Sequence, residues 1–387
     1  MKVTGIKLQW VRVPYNRPFH PTWFPGKEET HQNILLARVL TDEGIEGWGS
    51  TECPFGLAPT YMEMIHALVE PWLVGHDPLM IEQIAVKLRG DERLAGRPWL
   101  IENALWDLMG KACKQPTYKV LGAYRDKIPV YAALSEVRSP EQRREDAQHL
   151  VDMGYKGVKL RLFHQNIKED IQEVENIRTA VGDKLTIMCD ANQGVVRDRN
   201  FPQDDLPVWS YERAYETAKE LHKLGVLWLE EPLDHHDYYG LKRLTASTEI
   251  AIAGGEIMHG IDDLQILIDQ DCYDIVQPNC SLAGGFCQIR KIAALAACRG
   301  NKLCNIHGWV PGVGVAASAN LICSYPNATW LEYPFDPPAI EEDNFQGIVA
   351  NPLRIDKADG CFHMSDKPGF GVELDEDKIK RNLVAEN

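Results

Sequence analysis

Eight short apolar segments recur between residues 128 and 334, and a helix-sized stretch separates each segment from the next. In chain order they read IPVYAAL, GVKLRLF, LTIMCDAN, VLWLEEP, IAIAGGE, YDIVQPN, KLCNIHG and TWLEYP. Strict alternation of such strands with helices favours a parallel sheet covered by helices. With about seven intervening helices, the pattern predicts an α/β fold in which the sheet closes into a (β/α)7β TIM-like barrel. An open doubly wound sheet is the rival, but no glycine-rich phosphate turn follows the first strand.

The first third of the chain follows a different pattern. Two β-rich stretches, KVTGIKLQWVRVPY and NILLARVLTDEGIEGWGST, come before residue 55, and residues 60–122 then carry apolar residues at helical spacing. We predict an α+β domain over residues 1–125 and the barrel over residues 126–345. The remaining segment, 346–387, is expected to pack back on the first domain.

The charge and cysteine pattern exclude several classes of partner. A formal net charge of −15 argues against nucleic acid or an anionic membrane surface. No signal-like or membrane-spanning apolar run occurs, and the ten cysteines form no Cys-x-x-Cys pair. We expect a soluble cytoplasmic protein that binds neither nucleic acid nor membranes. An anionic small substrate stays open, because a bound divalent cation reverses the local charge.

Three consecutive barrel segments end in a carboxylate, namely Asp190, Glu230 and Glu256. The carboxyl ends of barrel strands meet at one face, which is where active sites of such barrels lie. Three carboxylates at one centre suit Mg²⁺, which prefers oxygen ligands, whereas zinc would favour histidine or cysteine. A magnesium ion with open positions could clamp a substrate carboxylate and stabilise the dianion formed when an α-proton leaves.

Side chains alternate along a strand, so residues two apart face the same way. On the second strand this places Lys159 and Arg161 inside the barrel, where buried cations need compensating anions or a ligand. An internal ion-pair network that supports the metal ligands is the alternative. The same parity places further polar residues at the barrel mouth: Asp190, Asn192, Glu230, Glu256, Asn279, His307 and Glu332.

Removal of an α-proton needs a base, and His307 is the first candidate because a histidine titrates near neutral pH. It follows a strand and opens the glycine-rich turn HGWVPGVG, although a lone histidine is more often structural. Lys159 is the second candidate, provided that its pKa is lowered by Arg161 and the cation.

The series CDAN, WLEEP, GGE, QPN…GG, HGW and LEYP, preceded by ALWDLMGKACKQPTYKVLGA, resembles the enolase superfamily and, within it, the mandelate racemase subgroup. The resemblance covers essentially the whole chain and implies that residues 1–125 are an N-terminal capping domain. It implies Mg²⁺ ligands at Asp190, Glu230 and Glu256, and a general acid/base at His307. It also implies a homo-oligomer and substrate contacts, with Glu332 on the substrate carboxylate and Asn192 and Glu231 as further contacts.

Two positions depart from the family pattern. Arg161 stands where a second lysine usually acts as a base, and arginine cannot lose its proton near neutral pH. It would instead hold an anionic or hydroxylated part of the substrate, or tune Lys159. Asn279 stands where an aspartate usually partners the histidine, so it can orient His307 but cannot stabilise an imidazolium by charge. His307 should therefore be less basic than in its relatives.

Two loops are candidates for closing the site over the distal part of a substrate. One, around residues 18–30, contains His20, Trp23 and Phe24. The other follows Asp190 and reads GVVRDRNFPQDDLPVWS, with Arg197, Asp198, Arg199 and Trp209 as possible contacts. A solvated excursion is the alternative for this second loop.

These observations predict a Mg²⁺-dependent dehydratase of a sugar acid, either an aldonate or an aldarate, whose substrate is a small-molecule carboxylate. One acid/base is enough for a syn elimination of water to a 2-keto acid, whereas a racemase needs two on opposite faces. A cycloisomerase of a lactone or anhydro-sugar acid is the main alternative, because it begins with the same proton abstraction. A racemase and a non-catalytic metal-binding relative are the others.

Overall fold

The chain forms an antiparallel sheet with helices, followed by a ring of parallel strands. The computed structural model describes residues 1–23, 26–53, 56–136, 138–195 and 207–387. The first sheet contains β1 (Val3–Phe19), β2 (Glu29–Thr41) and β3 (Glu46–Glu52), each antiparallel to the next. Five helices follow it: α1 (Ala58–Leu68), α2 (Glu70–Leu73), α3 (Ile81–Ala95), α4 (Trp99–Ala112) and α5 (Thr117–Val120).

The barrel follows directly, and its strands and helices alternate as the sequence predicted. They are β4 (Lys127–Ala133), α6 (Pro140–Met153), β5 (Gly157–Arg161), α7 (Ile167–Val181), β6 (Thr186–Asp190), α8 (Tyr211–Lys223), β7 (Trp228–Glu230), α9 (Tyr238–Ser247), β8 (Ala251–Gly254), α10 (Gly260–Asp269), β9 (Ile275–Val276), α11 (Phe286–Cys298), β10 (Leu303–Cys304), α12 (Gly314–Ile322) and β11 (Leu331–Pro334).

Parallel pairing runs without a break from β4 to β10, and β11 pairs with β4. A parallel bridge between Ile306 and Leu331 joins the end of β10 to β11 and closes the ring. The predicted (β/α)7β barrel with an N-terminal α+β domain is therefore confirmed.

The C-terminal segment contacts both halves of the chain. It contains α13 (Glu342–Phe345), β12 (Cys361–His363), α14 (Glu376–Asn382) and β13 (Leu383–Glu386). Strand β12 pairs antiparallel with the barrel strand β4, and β13 pairs antiparallel with β1. The last strand thus extends the sheet of the first domain, while β12 lies on the barrel.

Local sequence signals explain where the barrel helices begin. Ser139 forms a capping box with Gln142 at the start of α6, and Ser210 accepts a hydrogen bond from the backbone N–H of Arg213 at the start of α8. Asn166 caps α7 in the same way, because its side chain accepts a hydrogen bond from the backbone N–H of Lys168. No helix in the described part of the chain is both long and apolar enough to cross a membrane.

The layer of the barrel interior below the carboxyl ends of the strands contains a cluster of buried apolar residues. Its buried residues include Tyr131 and Trp228, whose rings meet edge to face at 5.5 Å, and the others are Ala133, Met188, Ala253 and Ile275. Such filling makes the barrel a packed core rather than a pore. Asp190 and Glu230 are the last residues of their strands and lie at the carboxyl ends, beyond this apolar layer.

Candidate active site

The predicted metal-binding acids lie at the carboxyl ends of neighbouring strands. Asp190 and Glu230 are direct register partners on β6 and β7, and both are almost completely buried. Glu256 follows β8 by two residues and is partly exposed to the cavity described below. The strand order therefore brings the three carboxylates to one face of the barrel.

Lys159 lies among these acids. Its Nζ atom is 2.7 Å from Glu230 Oε1, 2.6 Å from Glu332 Oε1 and 3.5 Å from Asp190 Oδ2. Burial acts to lower the pKa of Lys159, but the charges of Glu230 and Glu332 outweigh it and raise that pKa well above its ordinary value. The sequence analysis made a lowered pKa the condition for Lys159 to act as a base, so the shift of its pKa is in the opposite direction.

Arg161 also points into the barrel and is bound on several sides. Its Nη1 forms an ion pair with Asp190 Oδ2 and lies 3.3 Å from Asn192 Oδ1, while Nε donates to the carbonyl of Leu134 at 3.2 Å. The guanidinium carbon lies 5.3 Å from the ring centroid of Trp23. Arg161 therefore contributes a fixed positive charge and no base.

His307 faces two carboxylates through one ring nitrogen. Nε2 is 2.9 Å from Glu256 Oε2 and 3.4 Å from Glu332 Oε2, which also accepts the backbone N–H of Gly308 at 2.9 Å. Burial acts to lower the pKa of His307, but Glu256 and Glu332 outweigh it and raise the pKa to about 9.

Asn279 contacts the other nitrogen of this ring, and its amide orientation is fixed by neighbours of known polarity. Its Oδ1 accepts the backbone N–H groups of Ser281 and Leu282, at 2.8 and 3.2 Å, so this atom must be the oxygen. Its Nδ2 therefore donates, to the carbonyl of Trp309 at 3.3 Å and to His307 Nδ1 at 3.0 Å. A ring that accepts at Nδ1 carries its proton on Nε2 when neutral, so the side of His307 that faces the carboxylates is a proton donor.

Sequence reasoning missed two residues that support Glu230. Gln277 Nε2 donates to Glu230 Oε2 at 2.9 Å, and Trp228 Nε1 donates to the same oxygen at 3.2 Å. The alternation of side chains along a strand could have identified both, because Trp228 lies two residues before Glu230 and Gln277 lies two residues before Asn279. Burial raises the pKa of Glu230 to about 8, although Lys159 opposes this shift.

The donor set fits a hard divalent cation. Five carboxylates lie in this region beside the side chains of Lys159 and Arg161. The acids are Asp190, Glu230, Glu231, Glu256 and Glu332. Glu256 Oε2 is buried, and no donor in the described chain makes a well-directed hydrogen bond to it. Burial acts to raise the pKa of Glu256, but His307, Lys159 and Arg161 outweigh it and lower that pKa to about 2, so the group is a ready anionic ligand.

The protein's own cations separate these acids. Within the described residues, one group of acidic and histidine side chains has all its possible ligand atoms within 4.8 Å of one another. This group, Asp356, Asp359 and His363, lies at the surface and not at the barrel mouth. At the barrel mouth, Lys159 lies between Asp190 and Glu230, and His307 contacts Glu256. The two cationic contacts hold the acids in place by charge.

A cavity of about 320 Å³ opens above the acids; its lining residues are Trp23, Thr51, Glu52, Arg161, Asn192, Val195, Glu231, Glu256, Ile257, Ser281, Leu282, His307 and Trp309. The predicted substrate contacts Trp23, Asn192 and Glu231 are among them. Asn192 and Glu231 both have positive φ angles, 47° and 45°, which are uncommon for non-glycine residues and cluster at functional sites. Thr51, Glu52 and Trp309 were not predicted. Nothing near Thr51 and Glu52 in the sequence marks this distant strand end of the first domain as a cavity wall, and Trp309 was not singled out within the turn that follows His307.

His20 lies outside this cavity. Its ring is exposed, 3.5 Å from Glu28 and 3.9 Å from Glu136, and it lines a separate surface cavity of about 490 Å³. Trp209 is buried against the guanidinium of Arg213 and does not line the cavity either. Phe24, Arg197, Asp198 and Arg199 lie outside the described residues.

Comparison with known proteins places this fold and site in a family. Residues 142–378 match the family model described as enolase C-terminal domain-like, and residues 7–122 match the mandelate racemase / muconate lactonizing enzyme N-terminal domain. The chain belongs to the mandelate racemase subgroup of the enolase superfamily. The resemblance seen in the sequence is thereby confirmed.

Relatives of this enolase-superfamily member carry several activities. Arabinonate dehydratase of Saccharolobus solfataricus is 28% identical, with 90% of each chain covered. L-talarate/galactarate dehydratase of Salmonella typhimurium is 29% identical over 96% of this chain and 90% of the relative. A 3,6-anhydro-alpha-L-galactonate cycloisomerase of Streptomyces coelicolor is 27% identical, with 91% of each chain covered.

Solved structures agree in fold. A racemase from Streptomyces coelicolor with bound magnesium superposes with a TM-score of 0.84 at 25% identity, over 99% of this chain and 100% of that one. The Salmonella typhimurium L-talarate/galactarate dehydratase, liganded with Mg and L-lyxarohydroxamate, also gives a TM-score of 0.84, at 26% identity over 100% of this chain and 94% of that one.

Proposed function

We propose that this enolase-superfamily member is a Mg²⁺-dependent dehydratase that converts a sugar acid into a 2-keto acid. The observation that carries the proposal is the position of His307 Nε2 at the cavity wall, 2.9 Å from Glu256 Oε2 and 3.4 Å from Glu332 Oε2, so that two carboxylates hold a proton on this nitrogen. Elimination of water requires a proton donor at the leaving hydroxyl, and His307 Nε2 is such a donor at the cavity wall.

Asp190, Glu230 and Glu256 would hold the Mg²⁺. When bound, the ion would supply a Lewis acid for the substrate carboxylate and offset the negative charge of the carboxylates around Lys159. Glu332, which accepts the backbone N–H of Gly308, would contact the substrate carboxylate through a proton shared between the two groups. The occurrence of magnesium in the structures of two relatives supports this assignment.

The proton balance of the elimination needs one acceptor and one donor. The α-carbon–hydrogen bond breaks, and its proton passes to Lys159 Nζ, which accepts it in the neutral form. This requires Arg161 and a bound cation to lower the lysine pKa that Glu230 and Glu332 raise. The β-carbon–oxygen bond then breaks, and the hydroxyl leaves as water with the Nε2 proton of the imidazolium form of His307, which becomes a neutral ring. The enol that results tautomerises to the 2-keto acid.

A racemase needs acid/bases on both faces of the α-carbon that work in either direction. Arg161 stands where the family usually carries a second lysine, is paired with Asp190 and cannot act as such a base. The two dehydratase relatives support the elimination, and the cycloisomerase relative marks the main competing outcome.

The test is a library of aldonates and aldarates incubated with the protein and Mg²⁺, with 2-keto acid formation as the readout. For an acid that is turned over, the His307→Asn variant in D₂O should still exchange the substrate α-proton while forming no 2-keto acid. Lys159→Met should lose both reactions. A lactone-opened or isomerised product without loss of water would replace the dehydratase by a cycloisomerase.

A further inference from the structure

Glu52 presents a carboxyl group to the cavity from the N-terminal domain. It is the last residue of β3, and its side chain lines the same cavity as Arg161 and His307. The mechanism of elimination uses none of the atoms of Glu52. Its position nevertheless makes it part of the surface that a bound substrate must touch.

A chain of hydrogen bonds holds this carboxyl group in place. The buried phenol of Tyr15 donates to Gln32 Oε1 at 2.8 Å, which fixes the orientation of the Gln32 amide. Gln32 Nε2 then donates to Glu52 Oε1 at 3.3 Å. A side chain held by such a chain is preorganised to recognise a ligand rather than free to move away from it.

Within the described part of the chain, no lysine or arginine forms an ion pair with the carboxylate of Glu52. The groups that act on it most strongly are the carboxylate of Glu29, the side chains of Trp309 and Gln32, and the more distant His307. Burial, followed by the charge of Glu29, raises the pKa of Glu52 to about 7. A second anion placed here would meet negative charge in a partly desolvated site.

The adjacent wall is aromatic. The rings of Trp23 and Trp309 meet edge to face, with centroids 4.8 Å apart, and both line the cavity. Aromatic faces pack against the C–H surfaces of a carbon chain but do not solvate a carboxylate. Glu52 is therefore a polar acceptor beside an aromatic wall, and the guanidinium of Arg161, which lines the same cavity, is already paired with Asp190.

We infer that Glu52 is a specificity-determining residue that accepts a hydrogen bond from a hydroxyl at the end of the substrate remote from its carboxylate. The substrate is accordingly an aldonate, with one carboxylate, rather than an aldarate with one at each end. This inference rests on the proposed function, because it assumes that the first carboxylate is bound at the barrel mouth.

The test uses aldonates and aldarates of matched configuration: gluconate and glucarate, galactonate and galactarate, xylonate and xylarate, arabinonate and arabinarate. Affinities are measured by calorimetry with Mg²⁺ at pH 8.5, on the full-length His307→Asn variant so that turnover does not consume the ligand. Turnover of the same acids is measured on the wild-type chain. Glu52→Gln keeps the hydrogen-bonding size of the side chain and removes its charge, and Glu28→Gln is the matched control on an exposed loop.

In at least one pair the aldonate should bind about 100-fold more tightly than the aldarate, because like charges brought together cost several kcal/mol. Glu52→Gln should reduce that ratio at least about tenfold, and Glu28→Gln should leave it unchanged. An aldarate that binds as well as its aldonate, or a ratio that Glu52→Gln does not change, would overturn the inference.

The two proposals fail in different ways. Turnover of an aldarate to a 2-keto acid with a higher kcat/KM than its aldonate would uphold the dehydratase and overturn the role of Glu52. Selective aldonate binding that depends on Glu52, without 2-keto acid from any acid, would uphold the role of Glu52 and overturn the dehydratase. Binding of neither acid in any pair would overturn both.

Discussion

Lys159 Nζ lies 2.6 Å from Glu332 Oε1, so a cation on the second barrel strand is paired with a carboxylate on the eighth. The same amine lies 2.7 Å from Glu230, and all three side chains are buried. The raised pKa of Lys159 follows from these two carboxylates, which outweigh the effect of burial. Its positive charge is therefore part of what allows the acids of the barrel mouth to stay ionised inside the protein.

Lys159→Met should destabilise the protein most when divalent cations are absent. Removing one partner of a buried ion pair leaves uncompensated charge and typically costs about 3–5 kcal/mol. In EDTA the free energy of unfolding, measured by urea denaturation, should fall by about this amount, and Mg²⁺ should restore more stability to the variant than to the wild type. Lys184→Met removes an exposed lysine and serves as the control. Equal losses in EDTA and in Mg²⁺ would contradict cation compensation at this site.

Asn279→Asp should change the role of His307. An aspartate oxygen accepts a hydrogen bond where the amide donates one, so the proton of the neutral ring should move to Nδ1 and free Nε2 to act as a base. Above the pKa of about 9, where the wild-type ring is neutral, ¹⁵N chemical shifts of His307 should report Nδ1 unprotonated in the wild type and protonated in the variant.

The reaction should change in the same direction. Dehydration should slow by about 100-fold, within the usual contribution of a positioned general acid, while α-proton exchange with D₂O persists or increases. A variant with an unchanged ring tautomer and an unchanged ratio of dehydration to exchange would show that Asn279 does not set the role of His307.

The sequence predicted the barrel well because each of its strands is a short apolar run with a helix-sized stretch behind it. Strand parity also placed Lys159 and Arg161 inside the barrel, where both are buried. The direction of the pKa of Lys159 could not be predicted, because it depends on how close the amine lies to Glu230 and Glu332. These distances arise from packing across the barrel, and no local pattern encodes them.

Other parts of the site depend on contacts between distant segments. The residue type at position 279 was visible in the sequence, but its effect on His307 depends on which end of the amide faces the backbone of Ser281. Glu52 was not predicted as a site residue, because it ends a strand of the first domain and reaches the cavity only where that domain packs against the barrel. His20 was expected at the cavity by its place in a loop, yet the structure places its ring beside Glu28 and Glu136.

Glu102 joins the first domain to helix α11, and this contact should be measurable by a double-mutant cycle. Its Oε1 accepts the backbone N–H of Cys287 at 2.7 Å in the first turn of α11, while a Cβ added at Gly285 would collide with Oε2. Gly285→Ala should cost about 1–3 kcal/mol of unfolding free energy through overpacking, and much less in the Glu102→Ala background.

The matched control for this cycle is Gly90→Ala within α3, where an added Cβ meets no atom within 4 Å. That change should be neutral or stabilising by up to about 1 kcal/mol, because alanine has less conformational freedom to lose on folding than glycine. If Gly285→Ala behaves like Gly90→Ala, or costs the same with and without the Glu102 carboxyl, the close contact does not contribute to stability.

Glu173 should make the stability of the protein depend on pH. Burial raises its pKa from an ordinary 4.5 to about 7, although Arg143 and His164 oppose the shift. Because the folded-state pKa is raised, its favourable contribution is complete below pH 4.5 and is lost as pH rises through 7, with a total of about 3 kcal/mol. Glu173→Gln should therefore match the wild type near pH 4.5 and exceed it in unfolding free energy by up to that amount at pH 8.

Glu175→Gln provides the comparison for this prediction, since Glu175 lies on the same helix with its side chain exposed. Glu175→Gln leaves the buried Glu173 carboxyl in place, so this variant should follow the wild-type pH profile. Chemical denaturation at intervals between pH 4.5 and 8 would separate the two variants. A Glu173→Gln curve parallel to that of Glu175→Gln would mean that the Glu173 carboxyl ionises as freely in the folded protein as in the unfolded chain, because Arg143 and His164 then offset its burial completely.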